Sequence, residues 1–392
     1  MPDLPPKHLK LFKPDKNALI CHDSAALNPF FEALDTLSKG AKQSLHILHI
    51  GDSHIQADLF SGRMRQLFHQ EPIWPTSGRG FIFPYQLAKT NNPPGYTVSH
   101  TGNWEGCRNV AKDKSCAWGV AGITATTYDT SATFWLQLGY SAAQKYPIKR
   151  AKVFFPAADS TSYRIAWAGN KEWLLSDSLH ISLGYHEFVF KDSVTQIAFE
   201  IKKTEAAQRY FTMQGINLEN DRAGIIYSSL GVNGAEAGSF LKSPDLDNHL
   251  RVLQPQLVIV SLGTNDAYSR DFDPKQFRLV MGRLVQRIKM AVPNAVVLLT
   301  TPGDSFRGHR VNKSNVEAAG VLFGLAEETG AVLWDFYAVM GGMKSIQRWH
   351  AYNLAQRDRL HLSNKGYQLQ GDLLYTALMQ RWKLYKKQKG GK

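Results

Sequence analysis

A short apolar run, Leu45 to Ile50, leads directly into the tetrapeptide Gly51-Asp52-Ser53-His54. A run of this length and character is typical of a strand buried on both faces of a sheet. In parallel sheets, functional residues collect at the carboxyl ends of the strands. The sequence therefore predicts a strand that presents Ser53 on a tight turn at the edge of a sheet.

The chain after Pro255 predicts the rest of that sheet. Further apolar runs occur at 257–260, 295–299 and 331–334. Segments with helical periodicity alternate with them, at 274–288, 315–328 and 367–382. This alternation indicates an α/β fold in which a parallel sheet is covered by helices on both faces, giving three layers.

The segment between these parts has a different pattern. Residues 86–213 are rich in Thr, Ser, Tyr, Trp and Phe, and their short alternating runs are separated by Gly, Asn and Asp turns. Such a pattern predicts an antiparallel β-sandwich inserted into the α/β domain. The expected organisation is an N-terminal arm and helix at 1–40, the two parts of the α/β domain at 41–85 and 214–385, the insertion at 86–213, and a basic tail at 386–392.

The charge balance favours acidic partners. The 392 residues contain 46 Lys and Arg against 33 Asp and Glu, a formal charge of +13. The basic residues are scattered apart from the run at 383–392, and no nucleic-acid-binding motif accompanies them, so we expect a solvated tail and no nucleic-acid partner.

The sequence predicts neither a transmembrane helix nor a signal peptide within this chain. No stretch approaches the roughly 20 apolar residues of a transmembrane helix. The segment Met1 to Lys7 lacks the apolar core of a signal peptide, so we expect either a cytoplasmic protein or one whose export segment is not part of this chain.

The three cysteines, Cys21, Cys107 and Cys116, are too few for a disulfide framework and lack zinc-ligand spacing. Cys107 and Cys116 could close a small loop in an oxidising compartment, and two free buried thiols are an equally good interpretation. No metal site and no cofactor are expected.

Ser53 needs a base, and the base needs a group that holds its tautomer, if the serine is to act as a nucleophile. Asp358-Arg359-Leu360-His361 supplies both, because a separation of three residues places Asp358 and His361 on one side of a turn. His54 is the nearest rival for the base. We interpret Asp52 as a turn residue, since a carboxylate beside the nucleophile would oppose the developing negative charge.

A serine mechanism also needs donors where the oxyanion forms. Asn265, in Gly263-Thr264-Asn265-Asp266, follows a predicted strand and offers its side-chain amide. The backbone N–H of Ser53 is a second donor. The Gly-rich segment 228–235 could supply a third, since glycine permits a close approach of the backbone.

The four motifs together resemble the SGNH (GDSL-like) hydrolase superfamily. They are Gly51-Asp52-Ser53-His54, Val232-Asn233-Gly234, Gly263-Thr264-Asn265-Asp266 and Asp358-Arg359-Leu360-His361. The resemblance implies Ser53 as nucleophile, His361 as base and Asp358 as its orienting partner. It also implies an oxyanion hole made by the backbone of Ser53 and Gly234 and the side chain of Asn265, with Gly231 as the alternative glycine.

A narrower resemblance rests on the inserted β region and on the segments 51–58 and 77–84. These are similar to bacterial peptidoglycan O-acetylesterases, in which a carbohydrate-binding-module-like sandwich interrupts the hydrolase domain. The resemblance implies a serine esterase that removes O-acetyl groups from cell-wall polysaccharide, its partner, through an acyl-enzyme in the periplasm or cell envelope. The alternatives are acetyl transfer to a polysaccharide, deacetylation of a different one, and non-catalytic carbohydrate binding.

Several tryptophans of the insertion could stack on sugar rings. Because alternating sandwich strands bury every second residue, we expect most of them to lie in the core. The candidates are Trp104, Trp118, Trp135, Trp167 and Trp173.

Overall fold

A computed structural model describes residues 11–139 and 146–390 of the chain. The first ten residues of the predicted arm and the last two of the predicted basic tail lie outside these ranges. The strands are β1 Leu19–Ile20, β2 Ser44–Gly51, β3 Thr76–Gly78, β4 Gly80–Ile82, β5 Tyr96–His100, β6 Glu105–Arg108, β7 Ile123–Thr127, β8 Ser131–Leu138, β9 Ile148–Phe154, β10 Arg164–Trp167, β11 Leu174–His180, β12 Tyr185–Val194, β13 Gln196–Lys202, β14 Phe211–Met213, β15 Gly215–Glu219, β16 Gly224–Gly231, β17 Leu257–Ser261, β18 Val296–Thr300, β19 Phe306–Arg307, β20 Arg310–Val311 and β21 Val332–Trp334.

The α-helices are α1 Asn28–Ser38, α2 Ser53–Gln56, α3 Phe60–Gln70, α4 Ala237–Leu241, α5 Leu246–Leu253, α6 Thr264–Tyr268, α7 Pro274–Ala291, α8 Ser314–Thr329, α9 Phe336–Met340, α10 Ser345–Ala351 and α11 Asn364–Gly390. None of them is long and apolar enough to cross a membrane.

The central sheet has the strand order β1-β21-β18-β17-β2-β16-β3 within the described residues. Its neighbouring strands are parallel except for β1, which pairs antiparallel with β21 at one edge. The predicted parallel sheet is therefore confirmed, and β2 lies in its interior between β17 and β16. The carboxyl ends of these three strands meet at one edge of the sheet.

Alternate residues of each central strand enter two separate cores. In β17, Val258 and Val260 belong to one apolar cluster, and Leu257 and Ile259 belong to the other. The first cluster packs beneath α7 and α8, and the second packs beneath α1, α3 and α11. Both faces are thus covered by helices, which explains why the strands read as continuous apolar runs.

Local signals place the helices close to where the sequence predicts them. Asp273 precedes α7 and accepts hydrogen bonds from the N–H groups of Lys275 and Gln276, while Pro274 occupies the first turn. This is the expected N-terminal cap of a helix.

The inserted β region contains three antiparallel sheets. Four strands have the order β10-β13-β8-β5, five have the order β11-β12-β9-β15-β4, and three have the order β14-β7-β6, all within the described residues. The larger two sheets pack face to face through aromatic rings, with Trp167 against Phe190 and Phe188 against Phe199. This sandwich also extends past the limits 86 and 213, because β4 and β15 join the five-stranded sheet. The exact domain limits stay a prediction.

The C-terminal basic run differs from the expected solvated tail. Helix α11 continues through residue 390, and Lys386 and Lys389 both bind the buried carboxylate of Asp35 on α1. These lysines provide the counter-charge that the buried aspartate requires.

Candidate active site

Ser53 lies at the carboxyl end of β2, at the first position of the short helix α2. The turn is tight: a Cβ on Gly51 would lie 2.4 Å from Cγ1 of Ile55 and 2.7 Å from the carbonyl oxygen of Ser261. The fully buried Asp52 caps the helix by accepting a hydrogen bond of 2.9 Å from the N–H of His54. Glycine and aspartate therefore fix the backbone that presents Ser53.

The chain brings Ser53 to His361 across 308 positions of sequence. The Oγ of Ser53 lies 3.0 Å from Nε2 of His361, and Nδ1 of His361 lies 2.7 Å from Oδ2 of Asp358. A serine hydrolase needs this arrangement, in which a base contacts the nucleophile and a carboxylate orients the base. The three residues come from two segments, the end of β2 and the loop before α11.

Asp358 stabilises the backbone of the turn and also orients the His361 ring. Its Oδ1 accepts hydrogen bonds from the N–H groups of Leu360, at 3.0 Å, and His361, at 3.1 Å. Partial burial acts to raise the pKa of Asp358, but the hydrogen bonds from His361 and Leu360 outweigh it and hold the pKa below its usual value. The carboxylate therefore stays ionised beside the ring.

Arg359 fixes the loop between the two residues. It adopts a left-handed backbone conformation, with φ of +51°. Its carbonyl accepts a hydrogen bond from the N–H of Phe306, and its guanidinium lies 4.8 Å from the centre of the Phe306 ring. These contacts hold a conformation that non-glycine residues seldom adopt.

Asn265 lies at the start of α6 and reaches the turn that carries Ser53. Its Nδ2 donates to the carbonyl of Ala235 at 2.9 Å and to Oδ2 of Asp52 at 3.3 Å. The amide of Asn265 thus links the loop that contains Gly234 and Ala235 to the turn that carries Ser53. The longer bond to Asp52 is the weaker of the two, so this is the N–H that an oxyanion would engage most easily.

The two candidate glycines have different surroundings. A Cβ on Gly231 would lie 2.2 Å from the backbone N of Gln56 and 2.4 Å from the carbonyl oxygen of Asp52, so Gly231 is needed for close packing at the end of β16. Gly234 is exposed, has φ of +83°, and a Cβ there would meet only Val110, at 3.9 Å. Among the described residues, no group accepts a hydrogen bond from the N–H of Gly234 or of Ser53.

Sequence reasoning missed Gln56. Its Oε1 accepts a hydrogen bond of 2.8 Å from the N–H of Asn233 and so holds the loop that carries Gly234. Its place three residues after Ser53, in the first turn of α2, is the only signal that could have singled it out.

Sequence reasoning also missed Tyr367 on α11. Its hydroxyl lies 2.9 Å from Nδ1 of His54, so that nitrogen is engaged away from Ser53. No motif marks this tyrosine.

Asp266 is the neighbour of Asn265 and faces α4. Its carboxyl oxygens each lie 3.2 Å from the N–H of Ala237. Burial raises the pKa of Asp266 to about 7, although these N–H contacts oppose the shift.

The tryptophans of the insertion are mostly core residues. Trp104 and Trp118 are each 1 % exposed, and Trp167 is 6 % exposed. Trp173 is 53 % exposed, and Trp135 is half-buried and lines a shallow depression on β5 and β8. The expectation that most of them are buried is therefore confirmed.

Cys107 and Cys116 form a disulfide, and Cys21 is a free thiol. Of the two interpretations that the sequence left open, the structure selects the closed loop. Within residues 11–139 and 146–390, no group of three or more His, Cys, Asp or Glu side chains is arranged to hold a metal ion.

Comparison with known proteins finds a family match over part of the chain. Residues 192–369 match the profile of the GDSL-like Lipase/Acylhydrolase family, a segment that includes Gly234, Asn265, Asp358 and His361 and excludes Ser53. A search of the curated proteins found no match.

Several solved structures are similar to this chain. One described as "Peptidoglycan O-acetylesterase in action, 5 min" has 22 % identity, a TM-score of 0.77, and an alignment that covers 93 % of this chain and 99 % of that one. A lipase/acylhydrolase from Enterococcus faecalis has 23 % identity over 41 % of this chain and 77 % of its own, with a TM-score of 0.32. The acetyl xylan esterase AlAXEase has 20 % identity over 40 % and 82 %, with a TM-score of 0.31.

Residues 192–369 match the GDSL-like family, and the central sheet and the arrangement at its carboxyl edge are those of an SGNH (GDSL-like) hydrolase. The matched segment is that of an esterase of the GDSL lipase/acylhydrolase family, and it is combined here with an inserted β domain.

Proposed function

We propose that this esterase removes O-acetyl groups from bacterial cell-wall polysaccharide, with peptidoglycan as its substrate, through an acetyl-enzyme on Ser53. The observation that carries the proposal is the hydrogen-bonded series Ser53, His361 and Asp358 at the edge of the sheet. The substrate class is supported by the shared architecture, including the β domain, with a structure described as a peptidoglycan O-acetylesterase.

In the first half of the reaction, Nε2 of His361 takes the proton of Ser53 as Oγ attacks the acetyl carbonyl carbon. Negative charge then develops on the carbonyl oxygen, which the N–H groups of Ser53 and Gly234 and the amide of Asn265 stabilise. His361 returns the proton to the departing sugar hydroxyl, and the acetyl group remains on Ser53.

In the second half, His361 takes a proton from water, and the resulting nucleophile attacks the acetyl carbonyl. Collapse of the second oxyanion breaks the bond to Ser53, releases acetate and returns the proton to the serine. Asp358 keeps Nδ1 of His361 protonated throughout, so Nε2 is free to act as the base.

The proposed site of action is the periplasm or cell envelope. The bond between Cys107 and Cys116 supports this, because disulfides persist in oxidising compartments. The formal charge of +13 is also favourable for association with anionic cell-wall polymers.

The test is acetate release from O-acetylated peptidoglycan and from O-acetylated xylan by the wild-type protein, Ser53→Ala and Ser24→Ala. Ser24 is an exposed residue outside the site and serves as the matched control. We expect release from peptidoglycan by the wild type and the control, and none by Ser53→Ala. Release from xylan alone would refute the substrate, and activity retained by folded Ser53→Ala would refute the mechanism.

A further inference from the structure

His54 contacts the proposed base without contacting the serine through either ring nitrogen. Its ring stacks on His361, with centroids 5.2 Å apart and an angle of 23° between the planes. The hydrogen bonds from His361 to Ser53 and Asp358 lie at the edges of the His361 ring. One face of that ring is therefore covered by His54.

Tyr367 fixes the His54 ring from the side. Its hydroxyl lies 2.9 Å from Nδ1 of His54, and the two rings meet edge to face at 5.6 Å. The hydroxyl can donate its proton to Nδ1 of His54. Burial raises the pKa of Tyr367, so the phenol keeps this proton.

The other edge of the His54 ring has no such anchor. Nε2 of His54 is buried and has no hydrogen-bond partner among the described residues. His54 lines a small cavity of about 30 Å³ together with Asp304 and Gln370. Tyr367 is therefore the side chain that sets the orientation of the stacked ring.

Burial disfavours protonation of His54 more strongly than the nearby carboxylates favour it. Burial lowers the pKa of His54, and the neighbouring His361 acts in the same direction, while Asp52 and Asp358 oppose them. The aromatic face of a neutral His54 ring can lie against a charged His361 ring and stabilise that cation. A second charged ring would instead repel it.

We propose that His54 is a positioning residue: its neutral ring, anchored by Tyr367, holds the plane of His361 and stabilises the imidazolium that forms during turnover. This inference rests on the proposed serine mechanism. It predicts that the aromatic face of residue 54 affects the chemical step directly, whereas Nδ1 acts only by forming the hydrogen bond that orients the ring.

The experiment measures kcat and KM for hydrolysis of 4-nitrophenyl acetate by the full chain. The variants are His54→Ala, Tyr367→Phe and the double variant His54→Phe with Tyr367→Phe, which keeps a stacked ring and removes the buried polar pair. Thermal melting establishes that each variant is folded, and Ser53→Ala gives the serine-independent background.

We expect His54→Ala to lower kcat about tenfold with KM within about twofold, a loss of the size of one desolvated cation–π contact. The double variant should stay within about threefold of the wild type, and Tyr367→Phe should fall between them. A folded double variant as impaired as His54→Ala, or a His54→Ala variant with wild-type kcat, would overturn the inference. Wild-type turnover no greater than that of Ser53→Ala would instead refute the proposed mechanism itself.

Discussion

Asp358→Asn is the substitution that tests the proposed roles most directly. Asparagine keeps a carbonyl oxygen that can accept the N–H groups of Leu360 and His361, so the turn is retained. Its amide N–H₂ would then face Nδ1 of His361, where the carboxylate now accepts at 2.7 Å. Nδ1 must become an acceptor there, which places the proton on Nε2 and leaves Ser53 facing a donor instead of a base.

The size of the effect follows from the exposure of the pair. The same change in a buried serine-protease triad lowers kcat about 10⁴-fold. Here the side chains of Asp358 and His361 are 46 % and 31 % exposed, so water can compete for Nδ1 and soften the loss. We expect kcat to fall between about 100- and 1,000-fold with KM little changed.

The assay is steady-state hydrolysis of 4-nitrophenyl acetate, with thermal melting as the check of folding. Asp273→Asn is the matched control, because Asp273 caps α7 and asparagine is an equally good cap. A folded Asp358→Asn variant whose kcat stays within about threefold of the wild type would refute the tautomer argument, and with it the role of Asp358.

Three further predictions concern the oxyanion site and its neighbour. Asn265→Ala should lower kcat about 100-fold or more in the same assay, because it removes an N–H that engages the developing charge; an unchanged kcat would exclude that role. Gly231→Ala should lower the melting temperature far more than Gly234→Ala, since its Cβ would lie 2.2 Å from a backbone nitrogen, whereas Gly234 has open space and only its positive φ to strain; equal losses would contradict the packing argument. Asp266 has a pKa raised to about 7, so its contribution to stability is full below pH 4 and is lost as the pH rises through 7. Asp266→Asn should therefore gain stability relative to the wild type between pH 4 and pH 8 in chemical denaturation, and parallel pH profiles would contradict the assignment.

Much of the α/β part could be predicted from the sequence because its signals are local. The apolar runs at 257–260, 295–299 and 331–334 became β17, β18 and β21, and the periodic segments between them became α7 and α8. The antiparallel β region was also predicted, and its exact limits stay a prediction. The sequence placed β4 and β15 in the α/β domain, whereas the pairing of β15 with β9 and of β4 with β15 places them in the five-stranded sheet.

The positions that could not be predicted depend on contacts between distant segments. Lys386 and Lys389 look like a solvated charge run until Asp35 is found beneath them, some 350 positions away. Tyr367 carries no motif, because its role depends on where the start of α11 meets the turn after β2. Cys107 and Cys116 could equally have been free thiols from their spacing alone.

The sequence by itself determined that polar motifs would meet at one edge of a sheet. Buried parallel strands have continuous apolar sequences and their carboxyl ends share an edge, so Ser53 and Asn265 were expected at the same edge of the sheet. Only the tertiary structure decided which histidine faces the serine. His54 is adjacent to Ser53 in sequence but stacks against His361, which arrives from 308 positions away. A side chain's direction depends on the packing of the whole fold, and sequence distance does not fix it.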